Sequence, residues 1–91
     1  MKHIYADKAQ IVFETLGIII QEERIKKNKS QRILAYEYNL QKSMISRLEH
    51  GKNDPKLSSV FSLCEALGLK PSELFKKVEN RLPDNFSLIE S

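Results

Sequence analysis

Apolar residues in this chain recur at helical rather than strand spacing. Ile11, Phe13, Leu16, Ile19 and Ile20 are spaced for one or more faces of a helix that runs to about Lys27. Asp7, with Gln10 three positions on, forms a capping-box arrangement, so the helix is expected to start there. Gly17 inside it costs roughly 1 kcal/mol relative to alanine. Ile18 beside Ile19 and Ile20 supplies more apolar surface than one stripe needs, which fits either extra core or a dimer contact.

Residues 30–51 then read as two short helices joined by a tight turn. Ser30 is placed to cap the first, whose inward residues are Leu34 and Ala35. Asn39 stops it, because asparagine tolerates the left-handed backbone that such a stop uses. Leu40 turns into the corner, and Gln41 or Lys42 opens the second helix. Ile45 and Leu48, three apart, face the same core, and Gly51 closes the helix. What remains outside on that helix is Lys42, Ser43, Met44, Ser46 and Arg47, a small, polar and basic set suited to a DNA major groove.

Residues 51–56 are turn-rich. A further helix is expected from about Leu57 to Leu67, ending at Gly68, with Val60, Phe61, Leu63, Cys64 and Leu67 inward. Pro71 suits a first turn, so a last helix runs from Pro71 or Ser72 to about Glu79, packing through Leu74, Phe75 and Val78. Residues 80–91 form either a loose tail or an arm that docks on a second copy.

Charge sharpens the picture more than composition does. The chain of 91 residues carries a net +3, too little to imply nucleic acid by itself. Residues 24–56 hold Arg24, Lys26, Lys27, Lys29, Arg32, Lys42, Arg47, Lys52 and Lys56 against Glu37, Glu49 and Asp54, for +6; the remainder is −3. Positive charge is thus concentrated on the helix pair, the footprint expected of a DNA binder. No apolar run approaches the roughly 18 residues of a membrane helix, and no signal-peptide pattern opens the chain, so a cytoplasmic protein is expected. Cys64 is alone, and His3 and His50 are far apart, so neither a disulfide nor a metal site is expected. No nucleophile–base constellation or glycine-rich phosphate loop is present, which argues against an enzyme and against a cofactor.

The ordered set Leu16-Gly17, Arg24, Ser30-Gln31, Leu34-Ala35, Ile45-Ser46-Arg47-Leu48-Glu49, Gly51 and Pro55 resembles the Cro/repressor-type helix-turn-helix regulators, also called xenobiotic-response-element-like. The resemblance continues through Leu57, residues 65–69 and residues 71–75. It implies an all-α, five-helix, lambda-repressor-like DNA-binding domain over residues 16–79. An N-terminal extension, helical from about residue 7, would precede it, and a C-terminal tail or dimer arm would follow. The sequence departs from the family in four places. Asn39 stands where glycine is usual, Gln41 replaces a Ser or Thr cap, and Glu23 and Lys29 occupy positions that are often apolar.

On these grounds Lys42, Ser43, Met44 and Arg47 are the candidate base readers; Met44 suits a thymine methyl and Arg47 a guanine. Gln31, at a helix N-terminus, together with Gln41, Lys52, Asn53 and Lys56, are the candidate backbone contacts. The resemblance assigns Arg24 and Glu49 to a structural salt bridge. It implies a regulator, most often a repressor, acting as a homodimer on a palindromic operator in double-stranded DNA. Two rivals stand beside it. One is an antitoxin that neutralises a protein toxin and autoregulates its operon; the other is a helix-turn-helix used for protein interaction alone.

Overall fold

The computed structural model describes residues 2–89, with side chains from residue 8 onward. Those residues form five helices and no strand: α1 (Lys2–Lys26), α2 (Gln31–Tyr38), α3 (Lys42–His50), α4 (Leu57–Leu67) and α5 (Pro71–Arg81). The breaks between them follow local chemistry. Asn28 takes a left-handed φ of 57° after α1, and Asn39 does the same after α2 at 54°. Ser30 accepts from the Ile33 N–H at the start of α2. Gly51 and Gly68 close α3 and α4 in the same left-handed region. Gln41 precedes α3 in extended backbone but makes no side-chain cap, as befits a glutamine at that position. At α5, Pro71 sits at the first position and Glu73 accepts from the Lys70 N–H at 2.8 Å.

α1 begins earlier than the Asp7 capping box suggests. Its backbone is already helical at residue 7, while the Asp7 side chain lies outside the described residues. With no proline between residues 2 and 26, the helix runs through the cap-like Asp7. The boundary expected between residues 15 and 16 therefore falls within α1. At about 1.5 Å rise per residue this helix is some 37 Å long and sets the 44 Å long axis of the chain. None of the helices is long and apolar enough to cross a membrane.

One core joins all five helices. Leu16, Ile19 and Ile20 of α1 meet Leu34 and Ala35 of α2, Ile45 and Leu48 of α3, and Val60, Leu63, Cys64 and Leu67 of α4. Leu74 and Val78 bring in α5, and Leu40 and Met44 pack against the edge, half-buried. Burial pushes the Cys64 thiol above its ordinary range. Two aromatic positions differ from expectation. Phe61 is 47% exposed and Phe75 43% exposed. Each follows a fully inward residue, Val60 or Leu74, by 100° of helical turn, and so lands on the flank of its helix. α5 also continues to Arg81, two residues beyond the expected end.

The two unusually charged positions are absorbed by ion pairs. Glu23 lies 3.0 Å from Lys26 and 3.7 Å from Lys77 of α5, and Lys29 pairs with Glu37 while sitting over the Tyr38 ring. Next to them, Arg81 donates to Glu22 and holds its carboxyl below the ordinary carboxylate range.

α1 and the end of α3 touch backbone to backbone. A Cβ on Gly17 would stand 2.5 Å from the Glu49 carbonyl oxygen and 2.6 Å from that of Leu48. A Cβ on Gly51 would meet the Glu14 Cα at 2.7 Å and the Phe13 oxygen at 2.8 Å. Gln10 seals the contact by donating to the Gly51 carbonyl at 2.6 Å. Gly17→Ala should therefore destabilise the fold by about 1–3 kcal/mol despite alanine's better helix propensity, because no rotamer change relieves a backbone clash. Urea unfolding checks this; a neutral or stabilising alanine would show that the two helices can separate freely.

Candidate nucleic-acid interface

Of the nine residues of α3, Met44 and Ser46 are half-buried and the rest divide between inside and outside. Ile45, Leu48 and Glu49 are buried, while Lys42, Ser43, Arg47 and His50 are exposed. Ser43, Arg47 and His50 follow one another at i, i+4 and i+7, so they form a single ridge directly opposite the buried residues. Glu49 is the one carboxylate on the helix and it points inward, leaving an outer surface with no acidic group.

Beside the ridge, α3 and the loop to α4 enclose a concavity of about 350 Å³, lined by Gln41, Met44, Arg47, Asn53 and Lys56 among others. A second, of about 290 Å³, is lined by Ser46, Arg47, His50, Lys52 and Asn53. Arg47 and Asn53 border both. The geometry thus places five of the nine DNA-contact candidates around one hollow and adds Lys52 through its neighbour. Lys42 and Ser43 line neither and stand on the outer surface of the first turn of α3. Met44 is half-buried, with part of its surface spent on the core. Asp54 and Ser59, which also border the larger hollow, and His50, which borders the smaller one, are not among the candidates read from the sequence. Only His50 carried a usable signal, its spacing from Ser43 and Arg47.

Gln31 stands apart from that group. Its side-chain Nε2 donates to Glu49 Oε1 at 2.9 Å, which leaves the second N–H of the amide uncommitted. Glu49 is the centre of a larger arrangement. Arg24 donates to it twice, from Nε to Oε2 at 2.6 Å and from Nη2 to Oε1 at 3.0 Å, and gives Nη1 to the Lys29 carbonyl at 2.7 Å. Hydrogen bonding to Glu49 raises the Arg24 guanidinium further above its already high range. Arg24 and Glu49 are 9% and 8% exposed, and no buried side-chain polar atom among the described residues lacks a partner. The network connects α1, the loop after it, α2 and the last turn of α3, and so sets the angle at which the ridge is presented. Removing one charge strands the other in a poorly hydrated site. Arg24→Met or Glu49→Leu alone should cost about 3–5 kcal/mol, and the double variant much less than their sum. A denaturant-unfolding double-mutant cycle measures this, and additive losses would count against a coupled pair.

The comparisons with known proteins bear on the fold and the family. The helix-turn-helix family model (HTH_3) matches residues 20–74, which is more than half of the chain. No curated protein matches significantly. Among solved structures, the clp gene regulator ClgR from C. glutamicum superposes with a TM-score of 0.69 at 24% identity, covering 79% of this chain and 92% of that one. A single-residue mutant of the restriction-modification controller protein C.Esp1396I superposes with a TM-score of 0.70 at 20% identity, covering 81% and 94%. At such identities the superpositions establish the all-α, lambda-repressor-like fold, and the family match goes further: the chain belongs to the Cro/C1-type helix-turn-helix family of DNA-binding transcriptional regulators.

Proposed function

We propose that the protein is a sequence-specific repressor that binds double-stranded DNA as a homodimer on a palindromic operator. The observation that carries this reading is the acid-free outer surface of α3, where Ser43 and Arg47 form a ridge beside a hollow bordered by Met44, Asn53 and Lys56. A helix of this width enters the major groove, and its N-terminal residues face base edges. Lys42, Ser43, Met44 and Arg47 are the base readers in this reading, with Arg47 bidentate on guanine. Lys52, Asn53 and Lys56 follow α3 in the chain and meet the flanking phosphates, with Gln41 at the other end of the helix. Gln31 adds its free N–H to the backbone amides at the start of α2, so that one phosphate is gripped by a helix terminus and a side chain together. Two copies would place their α3 helices in successive major grooves about 34 Å apart. Covering promoter DNA in this way blocks transcription.

Selection from a mixed genomic DNA pool at several salt concentrations tests the proposal. Wild type should enrich a two-fold-symmetric site. Lys42→Ala/Arg47→Ala should lose that preference while unfolding at nearly the wild-type urea midpoint. A steep salt dependence without any preferred site would leave only phosphate contacts. Absence of binding at low salt would overturn the regulator reading.

A further inference from the structure

We infer that His50 is a DNA-backbone contact that grips a phosphate oxygen only as the imidazolium, so that operator binding takes up a proton. The inference rests on the DNA-binding reading above and adds a contact that neither the sequence motif nor the hollow beside Met44 supplies.

The chemistry follows from one hydrogen bond. His50 Nδ1 lies 2.7 Å from the backbone carbonyl of Ser46, and the Ser46 hydroxyl is 3.5 Å away. A carbonyl oxygen only accepts, so Nδ1 carries the hydrogen. This bond holds the ring against the last turn of α3 and leaves Nε2 as the outward nitrogen. In the neutral ring Nε2 is an acceptor, and a phosphate oxygen is an acceptor as well. Contact therefore requires a second proton: solvent supplies H⁺ to Nε2, and the new N–H donates to the phosphate with a full charge behind it.

Position selects a phosphate over a base. His50 is the last residue of α3, eight positions from Lys42 at the end that faces base edges. It borders the hollow of about 290 Å³ together with Arg47, Lys52 and Asn53, all donors, and no carboxylate lines it. The charged groups around the ring are Arg47 on its own helix and Lys52 in the following loop. From α1, packed behind Gly51, comes Glu14, which already accepts from Gln10. The neighbouring Glu49 is turned inward onto Arg24. An anion arriving at this hollow meets two fixed cations, Arg47 and Lys52, beside the His50 nitrogen that must gain a proton before it can donate.

The test measures affinity for the selected operator at about pH 6 and about pH 8 over a salt series, for wild type, His50→Gln and His50→Lys. Wild type should bind several-fold tighter at the lower pH, with the salt slope steeper by about 0.9 for each copy of α3. His50→Gln should flatten the pH dependence and keep the same preferred site. His50→Lys, a permanent donor, should bind at pH 8 nearly as tightly as wild type does at pH 6. Thermal unfolding of each variant at both pH values separates binding from folding. An unchanged pH dependence in His50→Gln, or none in wild type, overturns the assignment while the regulator reading stands. If no operator is selected at all, both fall.

Discussion

The constraint on which the rest of the molecule depends is the seating of the α3 terminus. Its last turn is held by charge, through Glu49 and Arg24, and by shape, through Gly17 and Gly51. The two devices act on the same helix end. The paired charges lie at 2.6 Å, and two glycines let the backbones of α1 and α3 approach without a Cβ between them. The close approach in turn removes water from the pair, which makes each charge costly to strand and the geometry hard to deform. A helix of nine residues is below the length that is stable by itself, so α3 exists because its inner side is fixed in this way.

That arrangement frees the opposite side of α3. Ser43, Arg47 and His50 make no contribution to the core, and none of them takes part in the Glu49 network. Their identities are therefore set by what they meet outside. The same logic explains Gln31, which spends one amide hydrogen on Glu49 and keeps the other. A residue held at one end by a buried charge presents its free end with little rotational freedom, which would lower the entropy lost in the phosphate contact proposed for it.

Local chemistry makes much of this architecture legible in the sequence. Ser30, Asn39, Gly51 and Gly68 each mark a boundary through a backbone requirement that few other residues meet. Long-range relations were legible only in part. Arg24 and Glu49 are separated by 25 positions, and no periodicity links them; family resemblance alone suggested the pair. Phe61 and Phe75 read as inward because they adjoin the apolar stripe. Whether a flanking position is covered depends on the neighbouring helix, and in this small core Leu63, Cys64, Leu67, Leu74 and Val78 already fill the space between α4 and α5. The start of α1 differs from expectation for another reason: a plausible cap at Asp7 competes with helix propensity on both sides, and nothing there breaks the chain.

The interface residues show the same division between local and long-range information. Arg47 could be picked out from α3 alone, since its inward partners fix the outward direction. The hollow it shares with Asn53 and Lys56 depends on how the loop of residues 51–56 folds back from Gly51, which no helical period encodes. His50 lies between these cases. Its place on the ridge follows from spacing, but the proton it must gain to hold a phosphate follows from the Ser46 carbonyl taking its other nitrogen. Helical period can place a side chain on a surface; the hydrogen bonds around it decide which atoms of that side chain remain available for binding.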